Sequence, residues 1–279
     1  MKILIVGLGL IGGSYAEGLS LKGYEVYGID KDSNAVQYAL KNGFIKKSSY
    51  TKDELIQMMD VIVLAIYPQA ILEFLRNNQS NFRKGQLITD VCGVKSSFVN
   101  KATLLANPAI YLSHHPMAGK EKIGIAFADY KIFKNANFLI TPLSNTPIEA
   151  IKILDQFARD LEFGKISIMS PVRHDEMIGF TSQLTHAIAV SLVNSDHDKD
   201  TVNFIGDSYR DLTRIAMINE KLWSELFLEN KNALLNHIEA FEEQLNILKN
   251  ALKLDDQEKL NELFKTSTQI RKKMEKCEN

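Results

Sequence analysis

Hydrophobic and polar positions follow two different regimes along this chain. As far as about Ser170, short apolar runs of strand length alternate with amphipathic stretches of helical period. Strands are predicted at 1–6, 25–29, 61–66, within 86–93, at 109–114, 137–142 and 165–170. Between them, helices are predicted from the glycine-rich turn to Lys22, at 53–59 and 69–77, after Val94-Lys95, and at 147–161. The run Val61-Ile62-Val63-Leu64-Ala65-Ile66 is continuously apolar, as a strand buried on both faces of a parallel sheet must be. Repeated strand–helix alternation predicts a doubly wound parallel α/β sheet.

Past Pro171 the strand signals cease and helical periods take over, at 174–193, from 234 onward and at 257–276. This predicts two domains, residues 1–170 and an all-α domain of residues 171–279. In the second, Leu234, Ile238, Phe241, Leu245, Leu248 and Leu252 fall in heptad-like steps, and Leu260, Leu263, Phe264, Ile270 and Met274 repeat the pattern. Such a seam can pack inside one chain, but so small a helical domain commonly completes its core against a partner subunit, and a homodimer is the preferred expectation.

Composition narrows the function. The net charge of -1 offers no basic surface to nucleic acid and no polybasic segment to a membrane. No run is long and apolar enough to span a bilayer. Lys2 and the apolar stretch behind it lack a small-x-small cleavage site and pass into helical periodicity, so no signal peptide is expected. The two cysteines, Cys92 and Cys277, lie far apart, which suits a reducing cytoplasm. The acidic run Asp196-His197-Asp198-Lys199-Asp200 matches neither calcium-loop nor zinc spacing, and no metal is expected.

The first strand runs into Gly7-Leu8-Gly9-Leu10-Ile11-Gly12-Gly13-Ser14, a G-x-G-x-x-G turn that opens a helix. The first glycine allows the tight turn, the second lets backbone approach a pyrophosphate, and the third lets helix pack on strand. The helix N-terminus attracts the phosphates. Asp30 follows the second strand, where a carboxylate accepts ribose hydroxyls and repels a 2′-phosphate, favouring NAD. The fold class is therefore read as Rossmann-type. Gly7, Gly9, Leu10, Ile11, Gly12 and Asp30 are the cofactor-binding candidates, with Ala65 and Ile66 after the third strand and Val91 after the fourth.

A second chemical feature is Leu112-Ser113-His114-His115-Pro116-Met117-Ala118-Gly119-Lys120-Glu121, an apolar strand that runs out into two histidines and a turn. His115 precedes Pro116, which holds its backbone extended. Imidazole also suits proton transfer near neutrality, with an ordinary pKa of about 6.5. Taken alone, a strand cap is the preferred reading, and what surrounds the histidines has to decide. In the helical half, Ser182 and His186 share a helix face among apolar neighbours, where taken alone a core histidine bonded to a carbonyl is the better reading, and Asp211 and Arg214 lie one turn apart. Arg214 is either half of a surface ion pair with Asp211 or a carboxylate clamp held by it.

Together these residues resemble the prephenate dehydrogenase family, over essentially the whole chain. The resemblance rests on the glycine loop, on T-D-V-C-G-V-K at 89–95 and H-P-M-A-G-K-E at 115–121, and on T-S-Q-L-T-H-A at 181–187. R-D-L-T-R-I-A at 210–216 and W-S-E-L-F-L-E-N at 223–230 complete it. It implies NAD-dependent oxidative decarboxylation of prephenate, or of its amino analogue arogenate, with a helical dimerisation domain. It implies His115 as catalytic base and His186 and Arg214 as substrate ligands, Arg214 through a carboxylate. Glu121 would lie on a gating loop, His114 would be strand packing, and Trp223 a packing anchor. The chain departs from the family at Gly93, a substrate-side position where Ser is common, and at Gln183, where some members carry His. Two rivals are weaker. A β-hydroxyacid dehydrogenase needs a lysine that 174–193 lacks, and a non-catalytic NAD sensor needs neither a base nor a clamp. No fused domain is expected before the first strand or after the last helix.

Overall fold

The computed structural model describes residues 1–275; Cys277 and the expected end of the last helix at Lys276 lie outside them. Residues 1–231 form one compact unit and the described residues from 232 onward a second. In the first, strands β1 (Lys2–Val6), β2 (Glu25–Ile29), β3 (Val61–Leu64), β4 (Leu87–Asp90) and β5 (Ile110–Tyr111) form a parallel sheet in the order β2-β1-β3-β4-β5. Helices α1 (Leu10–Leu21), α2 (Ser33–Lys41), α3 (Lys52–Met58), α4 (Pro68–Asn77) and α5 (Val99–Ala106) make the crossovers. Their ends carry local instructions. Asp32 accepts the Asn34 amide to cap α2, Thr51 and Glu54 form a capping box on α3, and Pro68 opens α4. Alternate side chains of β1 and β3 face two separate apolar cores, Ile3, Ile5, Val61 and Val63 in one and Leu4, Val6, Ile62 and Leu64 in the other. That two-sided burial is why those strands read as continuous apolar runs.

The strand expected at 109–114 differs. It splits at Leu112, whose amide still bonds to Ile88 of the parallel sheet, and resumes as β6 (Ser113–Pro116). β6 joins a second sheet, antiparallel to β7 (Asn137–Thr141), while β8 (Lys165–Ile168) pairs parallel with β7. His115 therefore sits within a strand, opposite Leu139, and not beyond its end. Pro116 is tolerated because β6 is an edge strand of its sheet. Helix α6 (Ile148–Asp160) connects β7 to β8.

No strand follows β8 among the described residues. The helix expected at 174–193 starts earlier, at Pro171, because Ser170 caps it and Pro171 takes its first turn. It runs as α7 (Pro171–Ile178), a π-helical turn at Gly179–Leu184, and α8 (Thr185–Asn194). Helices α9 (Asp207–Thr213) and α10 (Glu220–Glu229), the latter capped by Asn219, complete the first unit. In the acidic run, Asp196 and Asp198 accept amides of their own turn, and no metal-ligating cluster occurs among the described residues. Helices α11 (Lys231–Lys253) and α12 (Gln257–Glu275) carry the heptad-like seam. Phe241, Leu245, Leu252, Phe264, Ile270 and Met274 of that seam are exposed in the single chain. No described helix is long and apolar enough to cross a membrane.

Candidate active site

The glycine loop leaves β1 at Gly7, whose φ of +92° is a conformation that L side chains rarely adopt. A Cβ on Gly12 would fall 1.8 Å from the Gly7 carbonyl oxygen, so helix α1 packs on the turn only without one. Around Gly9 a Cβ would meet nothing within 4 Å, which leaves its backbone open to a ligand. Asp30, one residue past β2, accepts the Leu8 amide at 2.6 Å on one carboxylate oxygen and the Asp32 amide at 2.8 Å on the other. The loop and the acid are thus tied together by the acid itself.

At the far end of β4, Asp90 and Lys95 form a fully buried ion pair at 2.8 Å. Lys95 Nζ also donates to the His114 carbonyl at 2.7 Å, and Tyr111 Oη donates to Asp90 at 2.7 Å. Burial pushes the Asp90 carboxyl upward, but the adjacent ammonium outweighs it and holds the group below its usual range. This pair pins the backbone one residue before His115.

The two histidines have opposite surroundings because successive strand residues face opposite ways. His114 is fully buried, between the Tyr15 hydroxyl at 2.8 Å from Nε2 and the Thr89 hydroxyl at 2.7 Å from Nδ1. Burial, with Lys95 nearby, lowers its pKa to about 3, so it stays neutral. Half-buried His115 has Nδ1 3.0 Å from Nε2 of His174. Its Nε2 has no hydrogen-bond partner among the described residues and is not sealed from solvent. Burial, then His174, Lys95 and His114, hold the His115 imidazole well below its ordinary pKa. A neutral ring with one open nitrogen is chemically a base.

His186, on α8, bonds through Nδ1 to the Ser182 carbonyl at 2.8 Å, which makes Nδ1 the protonated nitrogen and Nε2 an acceptor. Its ring stacks on Trp223 with centroids 3.7 Å apart. The electrostatic influence of both Arg214 and Glu121 reaches it. Arg214 pairs with Glu121, from the loop after β6. The expected Asp211 partner is not used, since Glu121 takes the guanidinium and Asp211 is exposed on α9. Gln183 is buried, donating to the Leu226 carbonyl at 2.9 Å and accepting from Asn230 at 2.7 Å. Its family departure therefore falls on helix packing.

Two family models match the chain: the prephenate dehydrogenase nucleotide-binding domain over residues 16–166, and the prephenate dehydrogenase dimerization domain over residues 170–266. This chain belongs to the prephenate dehydrogenase family. A prephenate dehydrogenase of Lactococcus lactis is 32% identical to it, over 98% of this chain and 77% of the relative. The prephenate dehydrogenase of Aquifex aeolicus, solved in complex with hydroxyphenyl propionate and NAD+, superposes with a TM-score of 0.89 at 27% identity, covering 98% of each chain. Synechocystis arogenate dehydrogenase superposes with a TM-score of 0.84 at 26% identity, over 98% of this chain and 100% of that one.

The family is one of NAD-dependent oxidoreductases, and the residues on this chain fit that cofactor. The open backbone at Gly9 and the free N-terminal turn of α1 suit a pyrophosphate. Asp30 spends only one acceptor site of each oxygen on the protein, so both oxygens retain capacity for ribose hydroxyls. Leu10 and Ile11 on the first turn of α1, Ala65 and Ile66 after β3, and Val91 after β4 are all partly exposed at the strands' carboxyl ends. The residue that sequence reasoning passed over is His174. Pro171, His174, Asp175 and Ile178 are the buried positions of α7, a helical spacing that was legible in the sequence.

Proposed function

We propose that this chain oxidatively decarboxylates prephenate to 4-hydroxyphenylpyruvate, in the cytoplasm, as a homodimer joined through its helical domain. The observation that carries this reading is a neutral His115 with an open Nε2 in the same compact unit as the glycine loop. His115 takes the proton of the ring hydroxyl at Nε2, the one proton transfer the reaction asks of the protein. Arg214 binds a substrate carboxylate as a planar fork, and Glu121 holds that fork in the free protein and yields it to the substrate. His186 offers Nε2 as an acceptor, steadied by Trp223. Gly93 lies against the His115 ring and adds no polar group to the substrate side. Bound NAD supplies the hydride acceptor, and loss of the ring carboxylate as carbon dioxide then aromatises the ring. The protein's contribution is mostly orientation and one base.

Residues up to about Ser170 hold the cofactor and carry the base His115, and those beyond supply His186, Arg214 and the dimer contact. Arogenate is the second reading, favoured by the likeness to the Synechocystis arogenate dehydrogenase. The same His115 and Arg214 serve both, since the two substrates differ in an amino group and not at the reacting ring. The test is NADH absorbance after adding prephenate, or separately arogenate, to the protein with NAD. We expect NADH to form; silence with both substrates overturns the proposal.

A further inference from the structure

Behind His115 stands a chain of two more side chains. His115 Nδ1 lies 3.0 Å from His174 Nε2, and His174 Nδ1 lies 2.7 Å from Asp175 Oδ1. The direction of both hydrogen bonds follows from the carboxylate at the end. Asp175 accepts the Lys95 amide at 2.9 Å and the Ser96 amide at 2.7 Å, and as a carboxylate it can only accept. His174 must therefore donate from Nδ1. Burial favours its neutral form, against the opposing pull of Asp175, and a neutral ring protonated at Nδ1 can only accept at Nε2. His115 must then donate from Nδ1, which leaves its lone pair on Nε2.

We propose that His174 and Asp175 are positioning residues that hold His115 in its Nδ1–H tautomer, so that the base is always the open Nε2. The inference rests on His115 being the base of the proposed reaction. In that step the substrate O–H bond breaks and an N–H bond forms at His115 Nε2, while the Nδ1 proton stays where it is. The cation formed on His115 then faces an acceptor backed by a carboxylate. Of the other charges near it, Lys95 is paired with Asp90 yet still acts against a cation on His115, so the acceptor and carboxylate behind Nδ1 are the favourable partners. The geometry is held from several sides. His174 is fully buried, Asn230 Nδ2 donates to the Asp175 carbonyl at 2.9 Å, and Lys95 anchors the loop whose amides bind Asp175. Gly93 sends no side chain to the His115 ring, so His174 is the partner of Nδ1.

The decisive readout is the tautomer of His115, from imidazole 15N–1H correlation spectra with the His115 signals identified by their absence in His115→Asn. We expect protonated Nδ1 and bare Nε2 in the neutral protein; a protonated Nε2 overturns the proposal, whether or not any substrate is turned over. In kinetics, His174→Leu fills the space without an acceptor and should lower kcat by about a hundredfold or more, the cost of a wrongly protonated base. The KM for prephenate should change less than about twofold, as expected when only transition-state stabilisation is lost. His174→Gln restores an acceptor near the position of Nε2 and should recover about tenfold of that loss. A folded His174→Leu enzyme with kcat near that of the parent overturns the relay, and if that variant fails to fold, the tautomer of the unmodified protein decides. Silence of the unmodified enzyme with prephenate and arogenate defeats the proposed reaction instead, and leaves the tautomer result standing.

Discussion

A Cβ placed on Gly93 would lie 3.8 Å from Cε1 of His115 and 3.6 Å from Leu226, in ordinary van der Waals contact with both. The backbone there is not in the left-handed region, so a side chain is sterically permitted. Gly93→Ser should therefore fold with stability within about 0.5 kcal/mol of the parent, as for substitutions that create neither strain nor a buried unpaired group. Because His174 already engages Nδ1, the added hydroxyl should change kcat by less than about threefold, a small term beside general-base catalysis. Thermal denaturation and steady-state kinetics check this. A gain of tenfold or more would mean that the His174 contact leaves His115 poorly placed.

The pH profile should carry the signature of a depressed histidine. His115 works as a base only when neutral, and burial together with His174, Lys95 and His114 lowers its pKa well below 6.5. Above that lowered pKa the base is fully available. As pH falls through it the ring gains a proton and kcat/KM is lost. The acid limb should thus lie below pH 6.5, with little loss between about 8 and 6.5. His115→Asn should cut kcat by about 10² to 10⁴-fold, the span of general-base contributions, and abolish that limb. A limb centred above 6.5, or one that survives the substitution, contradicts the assignment.

Arg214 and Glu121 form an exposed pair, worth little to stability. Its consequence is kinetic. Arg214→Lys keeps the charge but loses the planar fork, and should raise the KM for prephenate by about tenfold, roughly 1.4 kcal/mol, with a smaller change in kcat. Glu121→Gln removes the competitor for the guanidinium and should lower that KM. If Arg214→Lys moved kcat and left KM alone, Arg214 would not be the carboxylate clamp.

What was legible from the sequence is what local rules specify. Gly7, Gly9, Gly12 and Asp30 are placed by one strand–turn–helix unit, and their spacing carries the geometry. The unbroken apolar run of β3 and the periodic seam of α11 are likewise local signals. Long-range pairing was not legible. Tyr15 reaches His114 from 99 positions away, His174 reaches His115 from 59, and Glu121 reaches Arg214 from 93. The split at Leu112 was hidden because a strand that changes sheets keeps one unbroken strand pattern. Asp211 was the expected partner of Arg214 because helical spacing ranks near neighbours first, and a loop acid has no such spacing to betray it. His174-Asp175 sits in a polar-looking stretch, and only its phase with Pro171 and Ile178 marked it as buried.

The seam on α11 predicts the assembly. Phe241 and Leu245 are 37% and 53% exposed in the single chain, at positions where a heptad pattern presents knobs to another helix. Leu245→Glu places a charge on that face and should shift the protein from dimer to monomer in sedimentation at micromolar concentration. A dimer that persists unchanged would locate the interface elsewhere.

The choice of cofactor should turn on Asp30. Its carboxylate carries the Leu8 and Asp32 amides, one on each oxygen, and keeps lone pairs and a negative charge for what lies outside. Ribose hydroxyls donate to such a group, whereas a 2′-phosphate is repelled by it. Asp30→Asn removes the charge and half of the acceptor capacity while one oxygen still serves the loop. Binding of NAD, followed by fluorescence titration with NADH, should weaken by about tenfold, the loss of roughly 1.4 kcal/mol. Binding of NADPH should weaken less or improve, because the repulsion goes with the charge, so the preference between the two cofactors narrows. Since Leu8 is tied to the same carboxylate, Asp30→Ala should weaken both cofactors further by loosening the loop. An unchanged ratio of NADH to NADPH affinity in Asp30→Asn would show that Asp30 organises the glycine loop without selecting the cofactor.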